Sequence, residues 1–292
     1  MRVLILGGTG MLGHKTCQVF GPMFDTWTTV RADAAYCAHW PFFGNVHVIP
    51  QADLCSLPAV TGVVEAAAPD VVVNCVGVLK QTMTDDSAIE AVTLNALLPH
   101  WLDKLSRQRG FRLIQIGTDC VFSGRDGMYS ERDTPDATDL YGRSKLLGEV
   151  SGPNCLTLRT SMIGRELSRT VGLLEWFLSQ EGKTVKGYTR AIFSGFSTQV
   201  LAQVLADIVA NRPALSGLYH VSSEPVSKFD LLRLIAATCR LDIRVEPEDK
   251  VACDRSLDSS RLRREIGFTP PSWQQMAEDL AGEIDLYRRL RT

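Results

Sequence analysis

The chain has no apolar run of the roughly 20 residues that a membrane-spanning helix requires. That argues against a helical membrane protein. No export leader is expected either, since Met1-Arg-Val-Leu-Ile-Leu-Gly turns glycine-rich too early for an apolar signal core. Neither sign of charge is in excess. With 31 Lys plus Arg against 33 Asp plus Glu, the formal net charge is −2, which speaks against a nucleic-acid binder or a basic membrane-surface protein. The eight cysteines are scattered without a Cys-x-x-Cys pair, and the five histidines are equally dispersed, so no metal site is expected. Cys37 and His39 stand close together, but no further ligands accompany them. Reduced thiols in a cytoplasm are the expected state. Long linkers, low-complexity stretches and internal repeats are missing too.

What is present is an alternation. A chain of 292 residues can bury a substantial core, as one large or two fused domains. Residues 2–6, 26–30, 46–49, 70–75, 111–116 and 155–158 read as strands, and 70–75 has the continuous apolar character of a buried parallel strand. Helices are expected over 11–20, 59–68 and 141–149. A further long helix carries apolar residues at 89, 92, 98, 102 and 105, with a local kink at Pro99. This is the pattern of an α/β protein with a Rossmann-type doubly wound parallel sheet, assigned to residues 1–160. Beyond Arg159 the rhythm loosens, with helices near 172–181, 199–210, 228–239, 258–266 and 272–290. Residues 161–292 are expected to form a smaller substrate-binding region, with segments around 188–222 packing back onto the first domain.

The first strand opens directly into Gly7-Gly-Thr9-Gly10-Met11-Leu12-Gly13, followed by a helix. Glycines allow a tight turn and close backbone approach, and a pyrophosphate can sit on the helix N-terminus, so this turn is the candidate dinucleotide site. Arg31, ending the second strand, suits a 2′-phosphate and hence NADPH, while Asp33 keeps NADH open. Asp53 and Leu54 follow the third strand, where an aspartate can accept from the adenine amino group. Cys75, Val76 and Gly77 end the fourth strand facing the cofactor, and Asn95 lies on the next helix. The aromatic stretch 36–44 is open to three readings: a wall for adenine, a subunit contact, or plain packing.

The most informative segment runs from Gly117 to Glu149. Tyr141 and Lys145 are four residues apart, one turn of helix, on the same face. A phenol of pKa near 10 exchanges protons slowly at neutral pH, and a nearby ammonium is expected to lower that value. Such a pair can protonate a carbonyl oxygen while hydride reaches the carbon. Thr118, at the end of the fifth strand, faces the same crevice.

The glycine turn, Thr118-Asp119 and Tyr141-x-x-x-Lys145 together resemble the extended short-chain dehydrogenase/reductases. Gly117-Thr-Asp-Cys-Val-Phe-Ser-Gly124, Gly127-Met-Tyr-Ser-Glu131, Asp133-Thr-Pro135 and Tyr141-Gly-Arg-Ser-Lys-Leu-Leu-Gly-Glu149 narrow the resemblance to the dTDP-4-dehydrorhamnose reductase-like family. The resemblance implies that Tyr141 donates the proton, Lys145 holds the nicotinamide ribose and Thr118 hydrogen-bonds the substrate oxygen. It implies NADPH as cofactor, with NADH as the alternative. The implied substrate is a 4-keto-6-deoxyhexose on a nucleoside diphosphate, reduced for cell-surface polysaccharide such as O-antigen. The chain departs from the family at Gly117 (commonly serine), at Cys120 (commonly tyrosine) and in Arg159-Thr-Ser-Met-Ile-Gly164, which lacks a tryptophan.

The segments 74–81, Leu174-Glu-Trp-Phe-Leu178 and 191–197 resemble a subgroup acting on UDP-linked 2-acetamido-2,6-dideoxy-4-keto sugars. Lys80, Gln81, Asp119, Arg190 and Arg255 are the candidates for contacting sugar or diphosphate, for which an arginine fork is suited. Surface charge is the alternative for each. Two other functions share this motif set: a nucleotide-sugar epimerase with tightly bound NAD, and a non-catalytic NAD(P)-binding regulatory subunit. Arg31 speaks against the first, and intact Thr118, Tyr141 and Lys145 against the second. No nucleic-acid or membrane partner is expected, and a homodimer stays open.

Overall fold

The computed structural model describes residues 1–80, 83–168 and 170–291. It divides into two compact units. The first comprises Met1–Val121, Ala137–Arg159 and Ala202–Tyr219, and the second Phe122–Asp136, Thr160–Leu201 and His220–Thr292.

The first unit is built on strands β1 (Arg2–Leu6), β2 (Asp25–Thr29), β3 (His47–Ile49), β4 (Val71–Asn74), β5 (Arg112–Ile116) and β6 (Cys155–Thr160). Runs of Val, Ile and Leu favour extended backbone in β1, β4 and β5, as Thr and Trp do in β2, and β4 and β6 are buried along their whole length, as a sheet covered on both faces requires. All five pairings among these six strands are parallel. Including β10 (Gly217–Val221), introduced at the far edge, the order is β10-β6-β5-β4-β1-β2-β3. Strand order reverses between β1 and β4, in register Val3↔Val71 through Leu6↔Asn74. The carboxyl ends at such a reversal form the crevice where ligands bind doubly wound sheets. The expected Rossmann-type fold is what the strands form.

Helices α1 (Met11–Phe20), α2 (Ala34–Ala38), α3 (Leu57–Ala67), α4 (Ala88–Val92), α5 (Leu98–Arg109) and α6 (Leu140–Leu147) connect these strands. Ser56 caps α3 by accepting from the Ala59 amide at 3.4 Å. Leu98, Leu102 and Leu105 of α5 form a buried stripe with Val60, Val64 and Leu4. Each such side chain contributes about 1.5–3 kcal/mol of burial. Where a local kink at Pro99 is expected, the helix is irregular. Thr93–Leu97 winds as a π-helical turn, and Pro99 falls in the first turn of α5, which follows it directly.

The second unit contains β7 (Met162–Ile163), β8 (Thr184–Phe193), β9 (Phe196–Ser197), β11 (Val226–Ser227) and β12 (Arg244–Asp254), ordered β11-β8-β12 in one sheet and β7-β9 in another. Its helices are α7 (Leu173–Leu178), α8 (Thr198–Asn211, shared in sequence with the first unit), α9 (Lys228–Thr238), α10 (Ser260–Ile266) and α11 (Trp273–Arg291). The core joins Phe177, Phe193, Leu231, Leu232, Ile235 and Leu280. Buried among these elements, Glu175 receives Arg165 Nε at 2.7 Å and Arg291 Nη1 at 2.9 Å. Burial alone would raise the Glu175 carboxyl, but hydrogen bonds from Arg291, the Glu166 amide and Arg165 hold it below the usual range. Residues 122–136 also belong here. The Phe122 ring stacks on Tyr129 at 4.2 Å, and the Tyr129 amide donates to the Ser256 carbonyl at 2.9 Å. Among the described residues, no helix is long and apolar enough to cross a membrane.

Candidate active site

The glycine turn leaves β1 at the strand reversal. Gly7 has φ +85°, a left-handed conformation that L side chains rarely adopt, and its amide donates to Thr29 Oγ1 at 3.1 Å. A Cβ on Gly13 would stand 2.0 Å from the Gly7 carbonyl oxygen, so α1 packs on the turn only because residue 13 is glycine. Thr9 and Met11 are half-buried on this turn, and Leu12 is buried beneath it. Gly10 caps α1, whose first turn carries no acidic residue, leaving its positive end free of carboxylate competition. A bare helix N-terminus behind a turn that a Cβ would fill fits a dinucleotide pyrophosphate.

The adenosine-side candidates come from the ends of β2 and β3. Arg31 Nη1 donates to Glu90 Oε1 at 3.1 Å. Asp33 caps α2, its Oδ1 accepting from the Tyr36 amide at 2.8 Å. Asp53 is exposed and accepts from the Cys55 amide at 2.9 Å, with Leu54 buried beside it. Of the aromatic stretch, Trp40, Phe42 and Phe43 are buried; Trp40 stacks on Phe42, which lies against His14 of α1. These three pack against the protein's own residues.

The third group gathers at the carboxyl ends of β4 and β5. Cys75, its thiol pushed up to about 12 by burial, gives its amide to the Leu6 carbonyl. The Val76 amide donates to Asn74 Oδ1 at 3.1 Å. Asn95, fully buried in the π-helical turn, accepts from the Val78 amide at 2.9 Å and donates to the Val78 carbonyl and to Ser144 Oγ. It thereby ties the β4 loop to α6. A Cβ on Gly77 would meet Asn95 Oδ1 at 3.0 Å and Lys145 Nζ at 3.8 Å, so the loop passes directly over the lysine.

Asp139 caps α6 by accepting from the Gly142 amide at 2.9 Å, which fixes Tyr141 and Lys145 on the first two turns. Thr118, 5% exposed at the end of β5, accepts from the Cys120 amide and donates to Asp119 Oδ1, both at 3.2 Å. Burial raises the Tyr141 phenol above the usual tyrosine range, Cys120 adds to the rise, and the Thr118 hydroxyl opposes it by hydrogen bonding. The lowering expected from Lys145 is therefore reversed. Burial outweighs it, and the Lys145 ammonium donates to the Ile116 carbonyl at 2.7 Å. Burial brings Lys145 itself down to about 8, with Glu149 and Cys75 pulling it back up. A protonated phenol, a hydroxyl donor and a nearby cation can together stabilise oxygen anion character and then protonate it.

Lys80 is held in the same unit by Asp139, Nζ to Oδ2 at 2.7 Å. Gln81 lies outside the described residues. Arg190 and Arg255 belong to the second unit: Arg190 is exposed on β8, and Arg255 Nε donates to the Phe122 carbonyl at 2.8 Å. Sequence reasoning missed Asp139, Ser144, Glu90 and the Ile116 carbonyl. Asp139 alone had a signal, an aspartate immediately before a helix.

Residues 1–285 match the family described as RmlD substrate binding domain. The chain belongs to that family. The motif-based resemblance to dTDP-4-dehydrorhamnose reductase-like short-chain dehydrogenase/reductases thus holds. Among RmlD-type relatives, a dTDP-4-dehydrorhamnose reductase of Burkholderia thailandensis is 27% identical over 240 residues, covering 76% of this chain and 73% of that protein. Methionine adenosyltransferase 2 subunit beta of Mus musculus is 32% identical over 256 residues, covering 80% and 71%. The same fold appears in the dTDP-4-dehydrorhamnose reductase of Bacillus anthracis, solved in complex with NADP, with a TM-score of 0.79 at 21% identity, covering 97% of this chain and 99% of that one.

Proposed function

We propose that the protein is an oxidoreductase that uses NADPH, with NADH as a second donor, to reduce the 4-keto group of a nucleotide-linked 6-deoxyhexose. The observation that carries this reading is the convergence of Thr118, Tyr141 and Lys145 beside Gly77, at the strand reversal that also holds the glycine turn. The bound nicotinamide would supply the hydride. Gly7, Thr9, Gly10, Met11, Leu12 and Gly13 would seat the pyrophosphate, Arg31, Asp53 and Leu54 the adenosine, and Cys75, Val76, Gly77 and Asn95 the nicotinamide side. Thr118 and Tyr141 would donate to the keto oxygen, Tyr141 giving up its proton as the alkoxide forms. Lys145 would hold the ribose and replace negative charge on the phenolate with a compensating cation.

Lys80, Gln81, Asp119, Arg190 and Arg255 are assigned to the sugar nucleotide. Its finer identity is proposed as a UDP-linked 2-acetamido-2,6-dideoxy-4-ulose of polysaccharide synthesis in the cytoplasm, on the segments at 74–81, 174–178 and 191–197. The test is consumption of NADPH against dTDP-, UDP- and GDP-linked 4-keto sugars by wild type and Tyr141→Phe. Loss of about 100-fold or more in kcat with NADPH affinity retained is expected. The methionine adenosyltransferase subunit among the relatives favours one second reading, an NAD(P)-binding subunit. Turnover of no 4-keto sugar, or an unchanged Tyr141→Phe, would select it.

A further inference from the structure

The basic residue at the end of β2 is engaged from an unexpected direction. Its partner, Glu90, is 59 residues away on α4, outside the β2–α2 turn where cofactor phosphates are ordinarily discriminated. Cys55, two residues after Asp53, senses both charges. After burial and Asp53, Glu90 raises its thiol and Arg31 lowers it. Arg31, Asp53, Cys55 and Glu90 thus share one patch. Asp33, the acidic residue adjacent in sequence, already caps α2 through Oδ1.

We propose that Glu90 is a specificity-determining residue that balances NADPH against NADH, an inference resting on the reading that Arg31 receives the 2′-phosphate. The phosphate and the Glu90 carboxylate compete for one guanidinium. NADPH must displace a carboxylate and then lie near it, two anions side by side. NADH requires no displacement, and a paired Glu90 still offers a lone pair to the ribose 2′-hydroxyl. The side chains of Arg31 and Glu90 are 68% and 41% exposed, so the pair opens at small cost and the balance is fine rather than absolute.

Equilibrium binding of NADPH, NADH, 2′-phospho-ADP-ribose and ADP-ribose to the full chain, by calorimetry without sugar substrate, tests this. Glu90→Gln should tighten NADPH and 2′-phospho-ADP-ribose by about fivefold, the scale of one exposed ion pair, and leave NADH and ADP-ribose equal or weaker. Arg31→Ala should weaken the phosphorylated ligands alone and cancel the effect of Glu90→Gln in the double variant. If Glu90→Gln moves the NADPH-to-NADH ratio by less than twofold while Arg31→Ala weakens NADPH, the role of Glu90 is wrong and that of Arg31 stands. If Arg31→Ala binds all four ligands as wild type does, the reading of Arg31 falls and the inference with it.

Discussion

Replacing Lys145 with methionine should raise stability while removing function, and pH makes the two separable. Lys145 is 7% exposed and burial lowers it from 10.5 to about 8, so keeping it charged at pH 7 costs about 3 kcal/mol. Methionine keeps most of the stem and carries no charge. It removes the charge-assisted hydrogen bond to the Ile116 carbonyl, which keeps Gln115 Nε2 at 3.1 Å, a loss of about 1–3 kcal/mol. At pH 7 the variant should therefore match wild type or exceed it by up to about 2 kcal/mol. Because the folded pKa is depressed, the unfolded chain binds more protons between the folded value and 10.5, and wild-type stability rises with pH across that window. Lys145→Met lacks the group. The stability difference, wild type minus variant, should climb by about 1.4 kcal/mol per pH unit above pH 8, and other titrations cancel in it. Urea unfolding of both proteins at pH 7, 8, 9 and 10, followed by tryptophan fluorescence, measures the difference directly. A flat difference would mean that the ammonium is solvated and the packing of α6 against β5 has been misjudged.

Gly13→Ala should weaken NADPH binding at least about tenfold, because the new methyl must push the helix off the Gly7 carbonyl; unchanged affinity by calorimetry would remove the turn from the cofactor site. Asp139→Ala should cost about 1 kcal/mol as the α6 cap is lost, and should free Lys80; a thermal midpoint equal to wild type would contradict the capping role. Glu175→Gln should cost about 3–5 kcal/mol by leaving Arg165 and Arg291 uncompensated. Glu175 has a depressed folded pKa, so its contribution is present above 4.5 and lost as pH falls through the folded value. The variant should lack that acid-sensitive component in guanidinium titrations between pH 6 and 3.

The sequence was most legible where local chemistry and position agreed. The glycine turn behind Val3–Leu6 and the Tyr141–Lys145 spacing each depend on neighbours within one turn of chain, and both are where the motifs placed them. In the second unit, helices expected near 228–239 and 272–290 form as Lys228–Thr238 and Trp273–Arg291, because amphipathic spacing is also local. Three features escaped because they are made at long range. Arg31 was readable as a basic residue, but its partner Glu90 comes from another helix. The direction of the Tyr141 pKa follows from burial, which spacing does not encode. Strand β12 was expected only around Ile243–Val245. It continues to Asp254 through an irregular register between Glu248 and Ala252, where pairing with β8 outweighs a charged sequence.

The segmental make-up of the first unit bears on how the protein is made. Its sheet ends with β10 beside β6, and Arg112 of β5 donates to the carbonyls of Ile208 and Leu215 in the segment leading to that strand. A ribosome delivers β6 about 60 residues before β10, several seconds at ordinary elongation rates. During that interval the nascent chain presents a strand that is buried along its whole length in the finished protein, with an open edge that is a template for pairing with other chains. Stalling or truncation between residues 160 and 217 should therefore yield insoluble product, whereas a chain released after Val221 has its edge covered.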